Sequence, residues 1–296
     1  MTNIAVIGSG TMGNGIAHVF AQHGYRVSLI DIADEALQRA ISTITKNLTR
    51  QVEKELVTQA IKNQALQNIR ITTNLTDGIR DAELIVEAAT EDQALKLKIF
   101  GDISTHAQRN AILATNTSSI SITKIASVVG RPENVIGMHF MNPVPIMKLV
   151  EVIRGKETSN QVTATVMDVS KKLGKIPVEV NDAPGFVANR ILIPMVNEAI
   201  YALHENVSGV EEIDTVMKLG MSHPMGPLQL ADFIGLDTCL SILNVLHEGF
   251  GTPKYAPCPL LVDMVNSSQL GVKTQQGFYS YKPGSKELSV AARFKK

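Results

Sequence analysis

The chain has 296 residues, enough for two domains with full cores. Its 44% hydrophobic and 19% charged content is that of an ordinary globular protein, and 28 basic residues balance 28 acidic ones, leaving no bulk charge to draw it onto nucleic acid or an anionic membrane. Two cysteines, Cys239 and Cys258, are too few for a disulfide framework and lack metal-site spacing; with no metal expected, no room for a signal peptide and no apolar run long enough to span a membrane, the cytoplasm is the default location.

Residues 4–7 form a short apolar run suited to a strand buried on both faces. It leads into Gly8-Ser9-Gly10-Thr11-Met12-Gly13, a match to G-x-G-x-x-G: Gly8 for the tight turn, Gly10 for close approach of a pyrophosphate, Gly13 for helix–strand packing. Residues 14–22 read as a helix, Gly24 as its stop, and 26–30 as a second strand ending on Asp31. That acid falls 18 residues after Gly13, close to the roughly 20 expected for the carboxylate that accepts ribose hydroxyls. Ile32 follows, with no nearby Arg for a 2′-phosphate, so NAD is favoured over NADP.

Residues 33–68 carry a helical stripe from Ala36 through Leu48 and on to Val52, Leu56 and Ala60, with Lys46, Arg50, Lys54 and Lys62 on the polar side. Two readings stand: a solvated helical hairpin, or a cationic arm for a phosphorylated ligand. Strands are predicted at 69–72, 83–88, 111–115, 135–140 and 148–153, with helices at 92–106 and 122–129 between them. A helix at 163–173 and a strand at 176–180 follow. This alternation argues for a Rossmann-type, doubly wound, mainly parallel sheet, whose ligands bind beyond the carboxyl ends of the strands. Asp31, Glu91, Asn116, Ser118 and His139 all fall at or just after such ends.

The turn cluster at 181–185 marks the domain boundary, giving a first domain of 1–183 and a second of 184–296. Strand signals fade beyond it. Helices are predicted at 186–204, with Pro194 as a kink, and at 210–219, 228–244 and 259–267, an all-α domain apolar enough to suggest a homodimer. The tail after Tyr281 is expected to be loose.

Oxidising an alcohol with NAD requires a group that removes the hydroxyl proton as hydride leaves carbon. His139, at the end of an apolar strand, is the candidate. Glu151 lies inside another apolar strand, where a carboxylate is costly unless paired; it would hold the imidazole in one tautomer, unless it simply faces solvent on an edge strand. Ser118 and Asn116 are candidates for hydrogen bonds to the substrate oxygen or the nicotinamide amide, and Asn189 for a donor from the second domain.

These residues carry a resemblance. GSGTMGNG at 8–15, VEAATE at 86–91, NTSSI at 116–120, HFMNPVPIMKLVEVI at 139–153, PGFVANR at 184–190 and GPLQLADFIGLDT at 226–238 together resemble the short-chain 3-hydroxyacyl-CoA dehydrogenases, the bacterial single-function enzymes of 3-hydroxybutyryl-CoA above all. The resemblance runs from Asn3 to Tyr281. It implies reversible NAD-dependent oxidation of (S)-3-hydroxyacyl-CoA to 3-oxoacyl-CoA, as in fatty-acid and butyrate metabolism, by a homodimer joined through the helical domain. It further implies His139 as general acid/base, Glu151 as its orienting partner, Ser118 on the substrate 3-oxygen and Asn189 assisting. Asn142 would lie near the nicotinamide, Glu91 and Lys96 on the adenosine side, and Lys273 near the cofactor from the second domain. Asn47 and Lys54, on the basic arm, match the family's CoA contacts. One departure stands out: Gln275 occupies a position after Lys273-Thr274 where the family commonly has glycine. Two rivals remain, a dehydrogenase of free hydroxy acids or sugar acids, and a crystallin-like dimer that binds NADH without turnover.

Overall fold

The computed structural model describes residues 1–282, 284 and 288–295. It divides into two compact units, Met1–Ala183 and Pro184–Lys296.

The first unit is built on an eight-stranded sheet. In chain order its elements are β1 (Asn3–Ile7), α1 (Thr11–Gln22), β2 (Arg26–Ile30), α2 (Asp34–Glu53), α3 (Gln59–Gln67), β3 (Ile69–Thr72), α4 (Leu75–Ile79) and β4 (Leu84–Glu87). Then come α5 (Gln93–His106), β5 (Ile112–Thr115), α6 (Ile122–Ala126), β6 (Val135–Phe140), β7 (Leu149–Arg154), α7 (Asn160–Lys172) and β8 (Ile176–Asn181). The strand order is β3-β2-β1-β4-β5-β6-β7-β8. The first six strands run parallel, as the apolar runs and helical crossovers require; β7 turns back antiparallel to β6, and β8 pairs parallel to β7. Strand order reverses between β1 and β4, the switch point at which such sheets bind ligands.

The pleat sends alternate side chains to opposite faces. Ile4, Val6, Leu29, Val86, Ala114 and Met138 join Ile16 and Phe20 of α1, Leu37, Ile44 and Leu48 of α2 and Val166 of α7 in one core. Ala5, Ile85 and Leu113 are buried too, on the side where Gly78 of α4 meets Ile30 and Ile122 of α6 meets Gly137. Strand β8 is an edge, which is why it tolerates Pro177 and leaves Ile176 and Val178 exposed.

The 33–68 stretch is a helical hairpin. Helix α2 stops at Glu53, Glu55 takes a left-handed φ of 56°, and Thr58 caps α3 by accepting from the Ile61 N–H. Leu56, counted in the helical stripe, therefore sits in the turn and is exposed. The Lys62 ammonium donates to Thr49 Oγ1 at 2.8 Å, tying the two helices together.

The second unit comprises α8 (Ala188–His204), α9 (Val210–Thr215), α10 (Pro227–Ile234), α11 (Leu236–Phe250) and α12 (Pro259–Asn266) around its own apolar core. The periodicity that reads as one helix over 228–244 is in fact two, bent by 96°. The bend is Gly235, whose φ of 100° suits glycine; its N–H closes α10 and its carbonyl opens α11. Helix α9 likewise ends early, passing into a π-helical turn over Val216–Gly220. In the tail, Ser289–Val290 pairs antiparallel with Tyr279–Ser280, so this part is ordered. Pro283 and residues 285–287, also within the tail expected to be loose, lie outside the described residues. No single helix among the described residues is long and apolar enough to cross a membrane.

Candidate active site

The glycine motif forms the turn between β1 and α1. A Cβ on Gly13 would come within 1.8 Å of the Gly8 carbonyl oxygen, and one on Gly8, at φ 94°, within 2.6 Å of the Ala88 oxygen. Around Gly10 no atom lies within 4 Å of such a Cβ, so the backbone there is open to a ligand. Gly10 precedes Thr11 at the start of α1, and no side chain caps that helix end. Uncapped N–H groups at the positive end of a helix are suited to a pyrophosphate.

A cavity of about 700 Å³ opens there, lined by Gly8, Gly10, Thr11, Asp31, Arg39 and Lys98 among others. Asp31 Oδ2 accepts from both the N–H and the hydroxyl of Ser9 at 2.7 Å. Burial alone would raise its pKa, but the hydrogen bonds from Ser9, Ala33 and Ile32 hold it below the ordinary carboxylate value. The carboxylate is thus charged and fixed at the end of β2. Ser9 was missed by sequence reasoning, which saw only the glycines around it. Arg39 corrects the expectation of no nearby arginine: about one and a half turns into α2, it lines the same cavity. The residues fit a dinucleotide, because the glycine turn cannot accept side chains, the helix end is uncapped and a charged acid stands at the second strand's end.

A second group gathers at the ends of β5 and β6. His139 and Glu151 are direct cross-strand partners in the antiparallel β6–β7 pair, so their side chains share one face. His139 Nδ1 donates to Glu151 Oε2 at 2.8 Å, and both residues are buried, 8% and 2% exposed. Because β8 covers β7, Glu151 is not on an edge strand. Asn116 Oδ1 accepts the Phe140 N–H at 2.9 Å, which pins the end of β6 beside the imidazole. The loop that returns from β6 to β7 carries exposed Asn142 and is held by Lys175, whose buried ammonium donates to the Val144 and Met147 carbonyls at 2.5 and 2.7 Å. Burial lowers the pKa of Lys175. His18, by contrast, is buried on α1 beside Gln22, and desolvation brings its pKa down to about 4, a neutral core imidazole.

Glu91 gathers the 117–119 loop. Its Oε1 accepts from Thr117 Oγ1 at 2.6 Å, the Ser118 N–H at 2.9 Å and the Ser119 N–H at 3.2 Å. Burial would raise its pKa, yet Lys96 and these hydrogen bonds hold it below the ordinary value. Lys96, 1% exposed, has its ammonium between Glu87 and Glu91. Neither Lys96 nor Glu91 is among the residues lining the 700 Å³ cavity, and the same is true of Met12 and Gly13. Asn47 lies in α2 and Lys54 at its exposed C-terminal cap, outside that cavity too. In the second unit, Asn189 lies in the first turn of α8, and Lys273 pairs with Asp237 next to Gly235. No group of three or more His, Cys, Asp or Glu among the described residues is placed to hold a metal.

Two family models match almost the whole chain: the 3-hydroxyacyl-CoA dehydrogenase NAD binding domain over residues 3–183 and the 3-hydroxyacyl-CoA dehydrogenase C-terminal domain over residues 185–281. The chain is 52% identical to a 3-hydroxybutyryl-CoA dehydrogenase of Bradyrhizobium diazoefficiens, over 94% of this chain and 95% of that one. It is 51% identical to one of Clostridioides difficile, over 94% and 99%. Its fold is similar to the crystal structure of an (S)-3-hydroxybutyryl-CoA dehydrogenase from Ralstonia eutropha, with a TM-score of 0.93, 48% identity and coverage of 95% and 99%.

Proposed function

The chain belongs to the 3-hydroxyacyl-CoA dehydrogenase family, and from that premise we propose how its residues divide the reaction. It is an NAD-dependent oxidoreductase of the 3-hydroxybutyryl-CoA dehydrogenase type, interconverting (S)-3-hydroxyacyl-CoA and 3-oxoacyl-CoA. NAD, when bound, supplies or takes up the hydride exchanged at C3.

The chain's own groups handle the proton and the oxygen. In oxidation, His139 Nε2 takes the proton of the 3-hydroxyl as the hydride leaves C3; in reduction, the imidazolium returns that proton to the 3-oxygen. Glu151 keeps the Nδ1 proton in place and stabilises the positive charge that forms on the ring. The 2.8 Å contact between Glu151 and His139 Nδ1 is the observation that carries this reading. Ser118 donates to the substrate 3-oxygen, with Asn189 assisting; Asn116 holds the end of β6, and Asn142 lies toward the nicotinamide. Gly8, Gly10, Thr11, Met12, Gly13 and Asp31 hold the pyrophosphate and adenosine ribose. Glu91, Lys96 and Lys273 complete the cofactor site, and Asn47 and Lys54 receive the CoA.

A homodimer formed through the second unit and a cytoplasmic location belong to the same reading. The dimer draws support from the exposed apolar side chains Ile191, Val207, Leu219 and Phe233, which are 67, 72, 81 and 57% exposed.

The test is NADH consumption with acetoacetyl-CoA, run beside free acetoacetate and beside NADPH. Rapid loss of NADH with the thioester alone is expected. Turnover of the free acid would transfer the chain to the hydroxy-acid dehydrogenases, and silence with both would leave a binding dimer.

A further inference from the structure

Strand β4 ends on Glu87, a fully buried carboxylate in an otherwise apolar strand. Buried ion pairs are poor devices for stability, since apolar side chains of similar volume often serve as well. Yet two of the three side-chain hydrogen bonds of Glu87, those with Lys96 and Thr115, lead toward one loop. Its Oε1 accepts from the Lys96 ammonium at 2.6 Å and the Ala89 N–H at 2.7 Å, and its Oε2 accepts from Thr115 Oγ1 at 2.7 Å. Lys96 reaches onward to Glu91 Oε2 at 3.4 Å, while Glu91 Oε1 holds Thr117, Ser118 and Ser119. Thr115 Oγ1, on the other route, accepts the Thr117 N–H at 3.2 Å. Two paths therefore leave one carboxylate and meet at residues 117–119, one through the Lys96–Glu91 ion pair and one through hydrogen bonds of Thr115 alone.

We infer that Glu87 is a positioning residue for the Ser118 loop, acting through Lys96 and Thr115. The inference rests on the reading of Ser118 as the donor to the substrate 3-oxygen. Lys96 is shared between two acids, and the charge on Glu87 keeps the ammonium at 2.6 Å from one and 3.4 Å from the other. With Glu87 neutral, Lys96 moves toward Glu91 and draws its carboxylate off the loop amides. Ser118 then loses the anchor of its N–H, and its hydroxyl is no longer held where the substrate oxygen arrives. A donor displaced by a fraction of an ångström loses much of its effect on the transition state.

A double-mutant cycle on kcat/KM with acetoacetyl-CoA tests this. Glu87→Gln, which keeps the shape and removes the charge, is expected to lower kcat/KM tenfold or more in the wild-type background and less than twofold in a Ser118→Ala background. An equal factor in both backgrounds overturns the inference, because a merely structural defect multiplies independently of Ser118. Should Glu87→Gln fail to fold, Thr115→Val cuts the other path and carries the same cycle, with a loss of about fivefold expected only when Ser118 is present. Ser118→Ala that by itself leaves kcat/KM unchanged refutes the role of Ser118, a different failure from additivity.

Discussion

At the scale of the residue, a carboxylate is fixed by the donors around it, and the two at issue have found different ones. Glu151 meets an imidazole, and Asp31 meets the hydroxyl and N–H of Ser9. His139→Ala should therefore lower kcat by 10²–10⁴-fold, the usual worth of a general acid/base, with NADH affinity intact by fluorescence titration. Near-normal turnover would refute the assignment. Glu151→Gln should also lose at least about 100-fold, because a neutral amide neither enforces the tautomer with the proton on Nδ1 nor stabilises imidazolium. Asp31→Ala removes the negative charge from a cavity that Arg39 also lines. The ratio of kcat/KM for NADH over NADPH should fall tenfold or more, equivalent to about 1.4 kcal/mol, and an unchanged ratio would exclude a ribose role for Asp31.

Elements end where the backbone demands it, and two ends in the second unit show how. Gly235 bends α10 away from α11 at a φ that few side chains tolerate. Gln275 keeps a left-handed turn without being glycine: at φ 61° its N–H donates to the Val272 carbonyl and its own carbonyl accepts from Tyr281. The departure from the family's glycine thus leaves the turn beside Lys273 in a conformation that glycine would adopt freely. A left-handed residue with a side chain costs about 1–2 kcal/mol, and glycine forfeits roughly 0.5–1 of that through chain entropy. Gln275→Gly should accordingly stabilise the protein by about 0.5–1 kcal/mol and raise its thermal midpoint by roughly 1–3 °C. A lower midpoint would mean that the glutamine side chain contributes contacts of its own.

On the scale of the molecule, each unit has a separate core, and the second is pinned by buried acids. Asp214 accepts from the Leu228 and Gln229 N–H groups and the Tyr279 hydroxyl; Asp232 accepts from the Phe278 and Tyr279 N–H groups and the Tyr281 hydroxyl. Desolvation pushes the Asp232 carboxyl up to about 6, against 3.8 for the ordinary group. The folded chain then holds that proton more tightly than the unfolded chain, so Asp232 contributes stability below about pH 4 that is lost as pH rises through 6. Asp232→Asn removes this dependence. Its cost, measured by denaturant unfolding, should be smaller at pH 7 than at pH 4.5 by about 2 kcal/mol, and a cost independent of pH would show that the carboxyl does not titrate there. Light scattering should give twice the 32.0 kDa chain mass if the exposed apolar side chains of the second unit join two copies.

The amino-acid sequence by itself determined the nucleotide-binding half: Gly8, Gly10 and Gly13 between a strand and a helix, the strands of a mainly parallel sheet, and Asp31 at a strand end. These features are legible because glycine turns, strand alternation and helical stripes depend on neighbours a few residues apart. Glu151 was suggested as a partner for His139 by the cost of a carboxylate in an apolar run, but only the antiparallel return of β7 makes the two cross-strand neighbours. Glu87 passed as one more strand residue, since Lys96 and Thr115 reach it only when a helix and a neighbouring strand pack against β4. Arg39 likewise enters the cofactor cavity through the placement of α2, and Gly235 hides its bend inside a continuous apolar periodicity. Strand direction, register and helix placement arise from contacts between residues far apart in the chain, and those were decided by the tertiary structure alone.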